Sequence, residues 1–546
     1  MKWSKLKTRA LSGIAATTGA LALVAGMIIP ASADPIIPDA NEVGSLTVTK
    51  LSNPGGTLDP ATGLLTAPPT DAELLAGATF KLEPVVSIGG TAVDLNTQAG
   101  WEAIAAATPA ALNASILGPE VETNVTPANL TTTTDGTVVW EDLPIGLYRV
   151  TETQAPGGYV GSDPFFVTVP ITHPTDLDEW VYDVHVYPKN SATGIEKTLV
   201  DEDTVQAGDT IEYTIDTDIP LLTADQTLDE FVVVDKLDPR LSLTPSDSTV
   251  LASIVEEDGT VIENLTYGTD FTVSAGLLID FKNSISDLIA NAGNKVRIQL
   301  VTTVTTDINT NRKPVVNRGI LFINTPGTSI TPIIPDIPVV PEDPDYPNIP
   351  VVPPTSPEDP PFPPAVPSDP VVSKFGQLEI TKVDAAITTT TLTGAEFAVY
   401  LTEADALDQT NAIATSTDNG DGTYSFPSLR LSNWENGAEL IDDADWRPYW
   451  LVETKAPADY NLSTKPFPFY LLNEGTTYTP TDSYLGDGVV NADGVYEYVF
   501  PNAKKLTLPL TGGKGAVIFT VGGVALIAFA AVLFARSRRN ESSSAN

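Results

Sequence analysis

The segment Tyr148-Arg-Val-Thr-Glu152-Thr-Gln-Ala-Pro-Gly-Gly-Tyr159 returns near the other end of the chain as Tyr449-Trp-Leu-Val-Glu453-Thr-Lys-Ala-Pro-Ala-Asp-Tyr460. Two copies of one box mean at least two related modules. Tyr148 and Val150, like Tyr449 and Leu451, fall at alternate positions, the period of a strand with one face turned inward. By the same parity Glu152 and Glu453 lie on that apolar face.

Each box has a matching opening upstream. Gly44-Ser-Leu-Thr-Val-Thr-Lys50 precedes the first and Gly376-Gln-Leu-Glu-Ile-Thr-Lys382 the second, while Gly77-Ala-Thr-Phe80 matches Gly394-Ala-Glu-Phe397. Between the modules, from Ile195 to about Thr325, strand-like runs continue without the box. Parity places Lys50 with Leu46 and Val48, Lys382 with Leu378 and Ile380, and Lys197 with Ile195 and Leu199. Three lysines therefore point into apolar cores. A buried ammonium without a partner is costly, so each must be paired, neutral or consumed by reaction.

A chain of 546 residues is too long for one core and predicts several domains in series. Richness in Thr, Val, Pro, Gly and Asp, with few long helical runs, makes all-β the expected class. The net charge of -41 excludes a large phosphate-neutralising surface, and with it nucleic acid as a partner. There is no cysteine, so no disulfide can staple an exported chain. His173 and His185 are the only histidines, too few for a histidine-based hydrolase or a multi-histidine metal site. Asp418-Asn-Gly-Asp421-Gly has the start of a calcium loop but lacks the later acidic ligand of an EF-hand and reads as a β-turn; no metal is assigned.

Lys2, Lys5, Lys7 and Arg9 open the chain, an apolar run follows to Ile29, and Ala31-Ser32-Ala33 fits signal-peptidase cleavage. At the other end Ala516 to Phe534 carries no charge, enough to cross roughly 30 Å of hydrocarbon. Arg536, Arg538 and Arg539 then hold the tail on the cytoplasmic side. Prolines recur at every third position from Pro332 to Pro353, then at Pro357, Pro360 and Pro363, the polyproline II repeat. The alternative there is a disordered acidic linker, since Asp336, Glu342, Asp343 and Asp345 add repulsion.

Leu508-Pro509-Leu510-Thr511-Gly512, set directly before the apolar span and the arginines, resembles the sorting signal of sortase substrates. Trp180-Val-Tyr-Asp-Val184-His-Val186-Tyr-Pro188-Lys189-Asn190 resembles the pilin motif of sortase-assembled pili. On the strand pattern Trp180, Tyr182, Val184 and Val186 share a face, Pro188 ends the ladder, and Lys189 leaves on the opposite, solvent-facing side. The resemblance implies that a sortase cysteine attacks the Thr511 carbonyl, releases Gly512 onward, and passes the chain to the Lys189 amine of another subunit.

With the repeated boxes, the whole chain resembles the major, shaft-forming pilins that carry Cna B-type domains. That resemblance implies a bond between a first-strand lysine and a last-strand asparagine beside a catalytic acid. The sets are Lys382, Asn502 and Glu453 in the last domain, Lys197, Asn317 and Asp235 in the middle one, and Lys50, Asn190 and Glu152 in the first. Burial lowers a lysine's pKa and raises an acid's, giving a neutral nucleophile and a proton donor. The plain alternative for each set is a buried salt bridge beside an amide.

The expected architecture is three immunoglobulin-like β-sandwiches in tandem. It comprises signal peptide 1–33, N-terminal pilin domain 34–190, middle sandwich 191–330, Pro-rich segment 331–371, C-terminal Cna B-type domain 372–507, and sorting signal, transmembrane span and basic tail 508–546. The implied role is structural rather than enzymatic: the shaft subunit of a cell-wall-anchored pilus serving adhesion and biofilm formation. Its implied partners are identical subunits, pilin-specific and housekeeping sortases, peptidoglycan and a host or bacterial surface receptor, with no cofactor. Head-to-tail bonding is heterologous and leaves the polymer open. A monomeric wall-anchored adhesin would need the sorting signal but not Lys189, and a tip pilin has no use for a lysine that accepts the next subunit.

Overall fold

The computed structural model describes residues 37–53, 62–119, 129–323, 365–476 and 489–506, apart from a few positions within these stretches. The signal peptide, the proline repeat from Pro332 to Pro363, the LPLTG signal and all but two residues of the apolar span lie outside the described residues. Strands dominate, and the helices are short: Gln98–Ala105, Pro109–Asn113, Ile285–Ala290 and Glu403–Asp408. Among the described residues no helix is long and apolar enough to cross a membrane. The chain divides into two compact units, residues 1–375 with 428–441, and residues 376–427 with 442–546.

The first unit opens with a sandwich whose first strand, Val43–Thr49, runs antiparallel to Thr137–Pro144 and parallel to Asp183–Val186. Its other sheet pairs Thr79–Ile88 with Gly146–Gln154, which in turn pairs with Phe165–Val169. Strict alternation sends Leu46, Val48, Phe80, Leu82, Tyr148 and Val150 into one core, each large apolar side chain contributing about 1.5–3 kcal/mol. Gly44 is required where the first strand passes its neighbours, because a Cβ there would stand 2.4 Å from the Tyr182 carbonyl oxygen and 2.5 Å from Val169 Cγ1.

A helical insertion that the strand periodicity did not announce interrupts this sandwich. Thr97 and Thr108 cap its two helices by accepting from the Gly100 and Ala111 backbone amides. Ile104 and Leu112 bury in a side cluster with Val85 and Leu147. Trp101 lies against Trp180 of the pilin-like motif, with ring centroids 5.0 Å apart.

The second sandwich of this unit stacks Ile195–Val200, Thr210–Asp218, Lys295–Val304 and Val250–Val255 side by side. Phe231–Asp235 lies between Leu278–Asp280 and Gly319–Ile323 in the other sheet. Every residue of Phe231–Asp235 and Gly319–Ile323 is buried, which is why these two strands read as unbroken apolar runs without alternation. After the proline repeat the chain returns here: Ala365–Pro367 pairs with Ile320 to Phe322, and Val371–Ser373 with Val315–Asn317. The end of the Pro-rich segment thus folds as strands of the middle sandwich.

Residues 428–441 also belong to this unit. The buried Asp201 carboxylate accepts from the Asn436 amide at 2.7 Å and the Ser373 hydroxyl at 2.8 Å. Trp434 donates its indole N–H to the Val372 carbonyl at 2.7 Å, with the Lys374 ammonium 3.8 Å from its ring centroid. The two sandwiches of the unit are joined by Gln226, which donates to the Val160 carbonyl at 2.7 Å and accepts from Ser191 Oγ at 2.6 Å.

In the second unit Phe375–Asp384 runs parallel to Val495–Asn502. Glu396–Tyr400 pairs antiparallel with Tyr449–Lys455, whose far edge takes Phe467–Phe469. Leu378, Ile380, Phe397, Leu451, Phe469 and Phe500 are buried, and Phe397 meets both Tyr424 and Phe500 edge-on at 5.3 Å.

Candidate functional site

In the first sandwich the opening strand continues into Leu51–Ser52, which pairs in parallel with Lys189 and Asn190. Lys50 consequently reaches the core beside Asn190. Its ammonium donates to Glu152 Oε2 at 2.8 Å and to Ser162 Oγ at 3.1 Å. Asn190 donates its amide to the other carboxylate oxygen, Glu152 Oε1, at 2.7 Å. Lys50, Glu152 and Asn190 are 0%, 2% and 0% exposed, so water is kept from all three.

The last domain rebuilds this arrangement from its own copy of the box. Asn502 Nδ2 donates to Glu453 Oε1 and Oε2 at 2.7 and 2.8 Å, and Lys382 Nζ stands 3.6 Å from Oε1 while donating to the Phe500 carbonyl at 3.0 Å. Burial pushes the Lys382 amine down to about 8, against the opposing pull of the Glu453 charge. Near neutrality a larger share of this amine is neutral and nucleophilic than of an exposed lysine.

In the middle sandwich Lys197 and Asp235 form an enclosed ion pair, and Asn317 is 1% exposed. Desolvation lowers the Lys197 pKa, with Asp235 again pulling the other way. The Lys197 ammonium also lies 4.7 Å from the centre of the Tyr213 ring. The structure therefore brings the acid to the lysine in all three sequence-derived sets, and places the asparagine on the acid in the first and last.

Two residues of these sites went unread in the sequence. Ser162 gives both its backbone amide and its hydroxyl to Glu152 Oε2, at 2.8 and 2.9 Å. Ser463 gives its backbone amide to Glu453 Oε2 at 2.8 Å. Both serines follow their glutamates at the same spacing, a signal carried by the repeat itself. Each orients a carboxylate whose remaining oxygen lone pairs face the amine and the amide. Such a carboxylate can take a proton from the amine and return it to a departing amide nitrogen.

Along the pilin-like motif, Val184, Val186, Pro188 and Asn190 are buried, whereas Lys189 is half-buried on the other face and donates to the Tyr187 carbonyl at 3.2 Å. Adjacent residues thus serve opposite sides of one strand. Thr511 and the rest of Leu508 to Gly512 lie outside the described residues. The carboxylates of Asp418 and Asp421 accept from the Gly420 and Thr423 amides at 2.8 and 2.9 Å, as turn residues do. Among the described residues no group of three or more His, Cys, Asp or Glu is placed to hold a metal ion.

Fold and site define a class: a modular β-sandwich protein with lysine, acid and amide side chains sealed together in its cores. Residues 501–542 match the LPXTG cell wall anchor motif, residues 42–191 the Gram-positive pilin subunit D1, N-terminal domain, and residues 376–483 the SpaA prealbumin-like fold domain. These matches, with the fimbrial relatives that follow, support a sortase-assembled major pilin of a cell-wall-anchored surface pilus.

It is 29% identical to the fimbrial subunit type 1 of Actinomyces viscosus over 82% of this chain and 83% of that protein. To the fimbrial subunit type 2 of Actinomyces naeslundii it is 29% identical over 74% of this chain and 72% of that one. In fold it is similar to the full-length major pilin SpaD from Corynebacterium diphtheriae, with a TM-score of 0.56 and 23% identity over 86% of this chain and 99% of that one. The major pilin SpaA of the same organism gives a TM-score of 0.56 at 22% identity, over 84% and 100%.

Proposed function

We propose that this pilin builds the shaft of its pilus by joining the Thr511 carbonyl of one subunit to Lys189 Nζ of the next. A sortase thiol displaces Gly512 from Thr511, and the Lys189 amine then displaces the thiol, so one peptide bond is exchanged for one isopeptide bond. We further read the three enclosed sets as internal cross-links: Lys50 to Asn190, Lys197 to Asn317 and Lys382 to Asn502. In each, the neutral amine attacks the asparagine carboxamide carbon, Glu152, Asp235 or Glu453 carries the proton, and ammonia leaves.

The observation that carries this reading is the last-domain site, where both oxygens of the buried Glu453 hold the Asn502 amide beside an amine whose pKa is depressed. A buried ion pair alone would be a weak source of stability, whereas a covalent link answers the absence of cysteine. The fibre so made would serve adhesion and biofilm formation through a surface receptor, with pilin-specific and housekeeping sortases and peptidoglycan as assembly partners.

Intact-mass measurement of the ectodomain is the test. Each internal bond removes one ammonia, about 17 Da. A mass equal to that calculated from the sequence, with free Lys197 and Lys382, would leave three salt bridges and refute the cross-links.

A further inference from the structure

The middle sandwich holds a buried charge that the cross-linking chemistry does not use. Arg240 and Asp238 are 3% and 1% exposed. Arg240 Nε and Nη2 donate to the two oxygens of Asp238 at 2.8 and 2.5 Å, the two-pronged geometry that only a guanidinium offers. Its other N–H groups reach across the domain, Nη1 to the carbonyls of Asn311 at 3.0 Å and of Lys313, and Nη2 to that of Pro314 at 2.8 Å. All five donors of the side chain are taken.

What these bonds connect is specific. Asp238 sits in the turn directly after Asp235, a turn closed by the Leu241 amide on the Asp238 carbonyl at 2.8 Å. The three carbonyls belong to the segment that leads directly into Val315–Asn317. One side chain therefore ties the strand end bearing the acid to the strand start bearing the amide. In the first and last domains the glutamate itself holds the asparagine; here Asp235 accepts no hydrogen bond from Asn317 Nδ2, whose side chain neighbours the Tyr213 hydroxyl, so the approach of acid and amide is set by the strands that carry them.

We infer that Arg240 is the positioning residue for formation of the Lys197 to Asn317 bond, clamping the entry of the asparagine strand onto the turn that follows Asp235. The inference rests on the proposed internal bond in this domain. Arg240 touches none of the reacting atoms; it acts through the backbone it grips.

The test follows bond formation in newly synthesised full-length ectodomain by peptide mass mapping, with the Lys382 to Asn502 link of the same molecule as internal reference. Arg240→Lys keeps the charge but loses the fork, and Asp238→Asn with Arg240→Gln removes both charges, so neither leaves a charge stranded. Both should show native-like β-sheet circular dichroism and an unchanged rate in the last domain, while the middle-domain bond forms at least ten-fold more slowly. Wild-type rates at Lys197 in both variants would overturn the inference. Loss of the β-sheet signal in both would overturn it too, because Arg240 would then hold the domain and not the reacting strand. If wild-type protein shows the last-domain bond but keeps Lys197 free, the underlying reading of the middle domain fails first, and the inference with it.

Discussion

Lys382 pairs across its sheet with Phe500, which sets Asn502 one alternation further along the same face. The first domain repeats the relation, since Leu51 opposite Lys189 and Ser52 opposite Asn190 leave Lys50 one alternation short of its amide. The acids also match: Glu152 lies opposite Phe80 and Glu453 opposite Phe397, each beside a register shift. A parallel first and last strand, displaced by one pleat, is thus enough to bring a lysine and an asparagine together over a carboxylate on the facing sheet.

Replacing that carboxylate should uncouple the pair. Glu453→Ala removes the group that bridges amine and amide, so its ectodomain is expected to weigh about 17 Da more than the substitution alone predicts. The proposed cross-link would close a long loop between residues 382 and 502. By the loop-entropy argument used for disulfides, its absence should cost about 4–5 kcal/mol, read as a lower denaturant midpoint of the last domain. Asp235→Ala should do the same in the middle domain.

The depressed pKa of Lys382 gives a pH signature once reaction is blocked. Burial holds the Lys382 amine at about 8 in the folded chain, against 10.5 for an exposed lysine, and an Asn502→Ala chain, which keeps that burial, should titrate with the same downward shift. Between those values the unfolded state binds more protons, so stability rises with pH across that window, and the burial penalty is present in full below it. Unfolding midpoints measured from pH 7 to 10.5 should climb in the single variant and lose that climb when Lys382→Met is added. A fall over the same range would contradict the assignment.

Polymerisation should depend on Lys189 and Thr511 in different ways. Lys189→Ala is expected to abolish the high-mass ladder in cell-wall extracts while monomer remains attached to the wall. Thr511→Ala should instead leave the protein in the membrane fraction. Immunoblots of both fractions check each outcome, and an unchanged ladder in the Lys189 variant would sink the linkage.

Gln226 offers a separate check on how the first unit holds together. Gln226→Ala removes the bonds to Val160 and Ser191 and leaves buried polar groups unsatisfied, worth about 1–3 kcal/mol. The expected result is faster proteolysis between the two sandwiches of that unit with no change in intact mass.

Much of this was legible because strand period two is a strict rule. It placed Lys50, Lys197 and Lys382 inside, and Lys189 opposite Asn190, without any structure. Legibility stopped where local pattern stops being informative. The helices around Trp101 are short, amphipathic only in part, and capped by ordinary threonines. The return of residues 365 to 373 to the middle sandwich, and the place of Trp434 and Asn436 in the first unit, depend on pairings far apart in the chain. Ser162 and Ser463 were hidden for another reason: they act partly or wholly through backbone amides, which no residue type advertises.

The parallel pairing of Phe375–Asp384 with Val495–Asn502 has a mechanical meaning. The chain enters this ladder at the N-terminal end of one strand and leaves at the C-terminal end of the other. A pull on both ends slides the strands lengthwise instead of peeling them apart. The rungs from Gln377 and Val495 to Asp384 and Asn502 are then loaded in shear, together and not one after another. Under the proposed head-to-tail linkage this strand order would make the last domain resist traction along the fibre, and a bond between Lys382 and Asn502 would bring that traction to a halt near the far end of the ladder.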